Sequence, residues 1–230
     1  MMKKSIPYRL RYSRRAKRLS IQVVPGEVRV TAPPGVRISV IDEFVRSRAD
    51  WLTGKLSYFE SITPPSIPSE FIDGSELTIF GETKVLRLSR STSETEKLLQ
   101  RNGSLCAYLP VDADPAMAVK KWLDALLLGH VKGIVEKYSH LRLVPSGIRF
   151  RTASTRWGSC SPSGVIMINR RLVHAPLSVV EYVVVHELAH LRHRNHSKKF
   201  WNFVESVLGD VKPRKQWLRL QGAYLLHKSR

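Results

Sequence analysis

The sequence feature that most constrains the fold is His-Glu-Leu-Ala-His, which runs from His186 to His190. Residues four apart lie on one face of a helix, so both histidines can bind a single ion if this run is helical. Glu187 lies one position further round, where its carboxylate can reach a water on that ion. His196 follows the expected end of the helix and can turn back as a third ligand. The spacing therefore predicts a helix and a catalytic metal site with one open position.

Local propensity alone leaves the structure of this run ambiguous. The β-branched run Val183–Val185 would suit a strand. Pro176 suits the first turn of a helix, and Ser178 with Glu181 has the spacing of a capping box. Apolar residues at helical spacing also leave the two histidines on a separate face. We therefore predict a helix over residues 176–192.

Three histidines are a ligand set typical of catalytic zinc. Neutral imidazoles leave the ion its double positive charge, which can lower the pKa of bound water toward about 7. Glu187 would then take the proton of that water as general base. A structural zinc site would more often use cysteines and close its fourth position, and Cys160 is a less favoured fourth ligand. The sequence predicts a zinc-dependent hydrolase, most readily a peptidase, with His186, His190 and His196 as ligands.

Positive charge is concentrated at the two ends of the chain. The net charge is +19 over 230 residues. Residues 1–60 contain 13 Lys/Arg against 5 Asp/Glu, residues 61–139 contain 9 against 10, and residues 140–230 contain 16 against 4. Such a surface attracts nucleic acid or another polyanion, although a solvated basic surface without a partner would have the same composition. The charge alone does not distinguish a surface that binds a polyanion from a solvated surface without a partner.

The remaining composition predicts a cytoplasmic protein. Cys106 and Cys160 are the only cysteines, so no disulfide framework is expected and a reducing compartment is favoured. The basic N-terminus lacks the apolar segment of a signal peptide. No apolar run approaches the roughly 20 residues that a membrane helix needs.

Hydrophobic periodicity and turn residues predict an α+β fold. Residues 1–112 read as a β-rich region with one helix over residues 40–60, and residues 113–230 as the catalytic region; the two could also form one compact unit. Asp114-Pro115 predicts the start of a long helix. Predicted strands lie near Leu19–Val30, Leu77–Phe80, Lys84–Leu88, Lys97–Leu99, Leu105–Leu109, Ile148–Arg151 and Val165–Asn169, and a last helix over residues 213–226.

Several motifs together resemble one protein family. They are Trp157-Gly158-Ser159-Cys160, the run Tyr182–His190, Asn195-His196-Ser197 and Phe200-Trp201. This string resembles the YgjP-like family of metal-dependent hydrolases, which is similar to the WLM and SprT-type zinc metallopeptidases. The resemblance implies a zincin-like catalytic core, with the three histidines as metal ligands and Glu187 as base.

The resemblance also bears on substrate binding. It implies that the Trp157–Cys160 segment lies near the active-site cleft, and we take Arg156, Trp157 and Asn169 as candidate substrate-binding residues. In related zincins an edge strand aligns an extended peptide beside the catalytic helix, and Val165–Asn169 is expected to be that strand. WLM and SprT-type relatives act on proteins attached to DNA, which by analogy suits the basic catalytic region.

Two other functions remain open. The first is hydrolysis of a nucleotide or other small anionic substrate, because a metal-activated water can also attack phosphorus. The second is nucleic-acid binding with an ancillary zinc site. The presence of Glu187 argues against this function, since a structural zinc site needs no base. The oligomeric state is not predicted.

Overall fold

The computed structural model describes residues 6–227, which form two compact units. The first unit comprises residues up to Pro64 together with His227, and the second comprises residues 65–226. The boundary predicted between residues 112 and 113 lies inside the second unit, and the predicted regions extend at both ends beyond the described residues. Side chains from before and after that boundary, such as Leu105 and Val180, are buried in one shared core.

The first unit is a three-stranded sheet covered on one face by two helices. The strands are β1 (Arg9–Tyr12), β2 (Ser20–Val24) and β3 (Glu27–Ala32), and the helices are α1 (Ile38–Arg46) and α2 (Ala49–Glu60). The order is β1-β3-β2, with β1 parallel and β2 antiparallel to β3. Alternate strand residues, such as Val28 and Val30, pack against Ile41 and Leu52 of the helices.

The single helix predicted over residues 40–60 is wrong, because the chain leaves helical geometry between α1 and α2. The hydroxyl of Ser47 donates to the carbonyl oxygen of Phe44 at 2.8 Å, a local bond that competes with helix continuation. Arg48 then adopts φ −111° and ψ 11° before α2 begins.

The second unit begins with a four-stranded sheet in the order β4-β5-β7-β6. Its strands are β4 (Glu76–Ile79), β5 (Glu82–Ser91), β6 (Lys97–Arg101) and β7 (Ser104–Pro110), followed by helix α3 (Pro115–Lys137). The Asp114 side chain accepts a hydrogen bond from the Ala116 backbone N–H at 2.8 Å, which caps α3. The predicted strands and the predicted start of this helix are confirmed.

A second, three-stranded sheet lies in the same unit. It contains β8 (Gly147–Arg151), β9 (Gly158–Cys160) and β10 (Val165–Asn169) in the order β8-β10-β9. The prediction that Val165–Asn169 is an edge strand is wrong, because β10 pairs with β8 on one side and with β9 on the other. The edge strand that contacts the metal-motif helix is β9.

The predicted metal-motif helix is present as α4 (Leu177–Ala189), and most of its side chains are buried. This burial stabilises a helix despite the β-branched run Val183–Val185, because tertiary packing overrides local propensity. The predicted capping box is wrong: the helix begins after Pro176 without a side-chain cap, and Glu181 accepts hydrogen bonds from Lys137 and Tyr138 instead.

Three further helices follow: α5 (Lys198–Leu208), α6 (Lys212–Arg219) and α7 (Gln221–His227), of which only the last residue of α7 belongs to the first unit. The last helix predicted over residues 213–226 is thus two helices, interrupted at Leu220, whose backbone adopts φ −102° and ψ −83°. The mixture of sheets and helices confirms the α+β class. None of the helices between residues 6 and 227 has both the length and the hydrophobicity that crossing a bilayer requires.

Candidate metal centre

The three predicted ligands come together at the C-terminal end of α4. His186 lies in its last turn, His190 follows its last residue, and His196 lies in the connection to α5. One ring nitrogen from each lies within 4.8 Å of the others, and the Nε2 atoms of His186 and His196 are 2.9 Å apart. Within residues 6–227, this is the only cluster of three or more histidine, cysteine or carboxylate ligands that could hold an ion.

The ring of His190 is oriented by a backbone carbonyl. Its Nδ1 lies 3.0 Å from the carbonyl oxygen of His193. A carbonyl oxygen can only accept, so Nδ1 is the donor, and Nε2 is the ring nitrogen left for a metal. A hydrogen bond from the second ring nitrogen is the usual support of a metal-binding histidine. His193 therefore contributes through its backbone, which no side-chain pattern could have revealed.

Two aromatic residues at the start of α5 pack against the imidazoles. The Phe200 ring centroid lies 4.8 Å from that of His186, 4.6 Å from that of His190 and 4.8 Å from that of His196. Trp201 stacks on His196 with 5.6 Å between centroids and an interplanar angle of 22°. These contacts restrict rotation of the imidazoles and hold their nitrogens toward one another.

The surroundings favour the uncharged form of two of these histidines. Burial, together with the nearby His190, His196 and Lys215, lowers the pKa of His186 to about 3. Burial, His190 and Lys215 also lower the pKa of His196. Neutral imidazole is the form that binds a metal, and three nitrogens that converge in this way fit a divalent cation such as zinc.

Glu187 is a buried carboxylate beside this cluster. Glu187 is only 4% exposed, and its Oε2 atom has no hydrogen-bond partner among the described residues. Burial raises its pKa to about 7, although the nearby Arg156 acts in the opposite direction. A carboxyl group with a pKa near neutrality can both accept and release a proton at physiological pH.

Strand β9 lies directly against the Glu187 side chain. A Cβ atom on Gly158 would lie 2.4 Å from Oε1 and 2.7 Å from Cγ of Glu187. Only glycine therefore allows the strand to approach the carboxylate this closely. Sequence reasoning missed this role of Gly158, although a glycine inside the Trp157–Cys160 motif was a signal for close backbone approach.

Arg156 and Trp157, two of the predicted substrate-binding residues, have different surroundings. Arg156 is exposed and close enough to Glu187 to affect its pKa. Trp157 is half-buried and packs against α7, since a Cβ on Gly222 would lie 2.8 Å from its Cζ2 atom. Arg156 is thus exposed near the carboxylate, whereas the Trp157 ring packs against a neighbouring helix.

Asn169, the third of these residues, is buried and binds backbone groups. Its Nδ2 donates to the carbonyl oxygens of Ala153 and Arg156, each at 2.8 Å. Its Oδ1 accepts a bond from the Arg171 N–H at 3.1 Å. Both amide protons are used, so Asn169 ties the segment before β9 to the end of β10 and supports the position of Gly158.

Comparison with known proteins places these features in one family. The family described as "YgjP-like, metallopeptidase domain" matches residues 17–221. No curated protein matches the chain. A solved structure, the metallopeptidase zymogen abylysin from Pyrococcus abyssi, is 25% identical, covers 37% of this chain and 86% of its own, and has a TM-score of 0.34.

Proposed function

Because the chain belongs to the YgjP-like metallopeptidase family, we propose that it is a zinc-dependent peptidase with Glu187 as general base. The observation that carries the proposal is the convergence of nitrogens from His186, His190 and His196 within 4.8 Å, beside a buried carboxylate with a pKa of about 7. Three neutral imidazoles with one position left open are typical of catalytic zinc. The two unpaired cysteines support a cytoplasmic location.

When bound, zinc would polarise the scissile carbonyl and make a water ligand more acidic. Glu187 takes a proton from the attacking water and returns it to the departing amine, and a pKa near 7 suits both transfers. The hydrogen bond from His190 to the His193 carbonyl holds the imidazole in place and makes its other ring nitrogen a better metal ligand. Gly158 leaves room for the carboxylate.

The open edge of β9 would align the substrate, in place of the strand predicted from the sequence. The Trp157 carbonyl accepts from the Asn169 N–H, and the Ser161 N–H donates to the Val165 carbonyl. In an antiparallel pair, bonding alternates along the strand, so the N–H and C=O groups of residues 158 and 160 point away from β10.

An extended peptide could therefore pair with β9 through its backbone, with little demand on sequence. Because Gly158 touches Glu187, such a peptide would pass beside the base. A metal-motif helix beside an open strand edge is the reason to propose a zincin-like core for this chain. The open edge also favours a peptide over a small substrate.

Hydrolysis of a nucleotide or another small anion is the second candidate. Arg156 lies near Glu187, and Lys215 lies near His186 and His196, so positive charge flanks the site. A phosphate group would benefit from both cations.

The test compares Glu187→Gln with Glu181→Gln, a matched change on the same helix. Each protein is supplied with zinc and assayed for metal content, for cleavage of a peptide mixture and for turnover of a nucleotide panel. We expect Glu187→Gln to keep its metal and lose activity by about 10²- to 10⁴-fold, the usual contribution of a general base, and Glu181→Gln to stay active. A wild type that binds no zinc, or a fully active Glu187→Gln protein, would refute the proposal. Turnover of nucleotides without peptide cleavage would establish the second candidate instead.

A further inference from the structure

Within the described residues of the first unit, the net positive charge lies on the sheet and on the connection between β1 and β2. Residues 6–32 contain 7 Lys/Arg and a single acidic residue, Glu27. Residues 33–64, which contain both helices, have 4 Lys/Arg against 4 Asp/Glu. The helices are thus neutral in sum, and the whole excess lies on the strands and their connection.

The face of the sheet away from the helices is polar and basic. Because side chains alternate along a strand, the face opposite the buried Val28 and Val30 contains the intervening residues. These residues are Arg9, Arg11, Ser20, Gln22, Val24, Glu27, Arg29 and Thr31, and the one apolar member, Val24, lies opposite Glu27 and is buried. The register aligns them in two rows, Arg9-Arg29-Gln22 and Arg11-Thr31-Ser20. Glu27 neutralises part of this charge through its bond to Arg29 at 2.5 Å and its contact with Arg9 at 3.8 Å.

The connection between β1 and β2 brings four more cations to one end of the same sheet. Arg14, Arg15, Lys17 and Arg18 are all exposed. The strand β1 ends beside Ala32 and β2 begins beside Thr31, so the connection crosses the end of β3. The Ser13 N–H donates to the Ala32 carbonyl oxygen at 2.9 Å, which holds the start of this connection at the end of β3. We call these four cations and the outward Arg9 and Arg11 the basic face.

We propose that the basic face binds the sugar–phosphate backbone of a nucleic acid without sequence preference. Guanidinium groups suit phosphate oxygens, and Ser, Thr and Gln side chains are further common phosphate donors. The outward strand residues include no aromatic side chain on which a base could stack. Their only apolar side chain, Val24, is 2% exposed and is therefore not free to enter a lipid bilayer, which favours a nucleic acid over a membrane surface.

The test uses the full-length protein and labelled duplex DNA, single-stranded DNA and RNA of equal length, with fluorescence anisotropy at several salt concentrations. The variant changes Arg14, Arg15, Lys17 and Arg18 to Gln. The matched control changes Arg37, Arg46, Arg48 and Lys55, which lie on or beside the helices of the same unit, to Gln. Both remove four charges, and circular dichroism verifies that both fold.

We expect the basic-face variant to bind DNA at least about tenfold more weakly. The slope of log affinity against log salt should decrease by about 3 to 4, because each phosphate contact contributes about 0.9. The control should stay within about twofold of the wild type. If both variants lose affinity equally, or if the wild type binds no nucleic acid at low salt, the proposal is refuted. Equal binding of the wild type to anionic lipid vesicles, with the same loss in the variant, would assign the face to membranes instead. The assay needs neither metal nor turnover, so its result is independent of the proposed peptidase activity.

Discussion

The helix α4 contains two glutamates, six positions apart, in opposite environments. Burial alone would raise the pKa of Glu181, but hydrogen bonds from Lys137 at 2.6 Å and Tyr138 at 2.9 Å outweigh it and lower the pKa. Glu187 is buried with Oε2 unpartnered among the described residues, and its pKa rises to about 7. Partners from other elements, rather than residue type or helix position, thus decide whether the pKa of a carboxyl group falls below its ordinary value or rises to about 7.

Among variants that leave both glutamates in place, the largest effect is expected from disturbing the environment of Glu187. In Gly158→Ala the new methyl group would overlap Oε1, so the carboxylate must move. A displacement of this size should reduce peptide cleavage by about 10²-fold, while metal content stays unchanged. The measurement is kcat/KM together with zinc stoichiometry.

The matched control for this change is Gly147→Ala in β8. A Cβ at Gly147 would meet only the Val165 side chain, at 3.8 Å, which is ordinary van der Waals contact. This variant should retain its activity. If Gly158→Ala were as active as Gly147→Ala, the contact between β9 and Glu187 would have no part in catalysis.

The second prediction concerns the pH dependence of stability after the metal is removed with a chelator. The folded protein holds the Glu187 proton with a pKa of about 7, against an ordinary value of 4.5. Ionised Glu187 therefore destabilises the folded state above pH 7, and this cost disappears as the pH falls toward 4.5. Glu187→Gln should raise the free energy of unfolding by about 3 kcal/mol at pH 8, since the pKa rises from 4.5 to about 7 and each pKa unit corresponds to about 1.4 kcal/mol.

The gain from Glu187→Gln should be much smaller at pH 5, and urea unfolding at the two pH values measures both. Glu181→Gln is the comparison, because it should bring no such gain at pH 8. A Glu187→Gln protein that is no more stable than the wild type at pH 8 would show that burial of the carboxylate has no cost.

The smallest effect is expected at Glu181. Its lowered pKa means that its ion pair with Lys137 contributes stability above about pH 4.5, and this contribution is lost as the pH falls below that value. The raised pKa of Lys137 gives the opposite limit, with the contribution lost above about pH 10.5. Glu181→Gln should lower the melting temperature slightly at pH 7 and not at all at pH 3. Because Lys137 is exposed, a large loss at pH 7 would contradict this account.

The difference between local and long-range information explains what the sequence predicted. The three histidines lie within one short segment, so helical spacing and one turn were enough to predict their convergence. The close approach of Gly158 to Glu187 depends on which strand borders α4, and strand order cannot be read from periodicity. The same gap led to the wrong prediction of Val165–Asn169 as an edge strand. Likewise, the spacing of Ser178 and Glu181 suggested a local cap. Glu181 is instead bound by Lys137 and Tyr138, which lie at the end of α3 and more than 40 residues earlier in the sequence.

The short span from His186 to His196 has a consequence for the order in which the site assembles. Bringing these ligands together closes only a small loop, which costs little chain entropy. Enclosing Glu187 under β9 requires a strand from an earlier part of the chain to be in place. A folding chain can therefore capture its metal before its base is buried and shifted in pKa. If the chain is the peptidase proposed above, cleavage would then begin only after β9 has docked on α4.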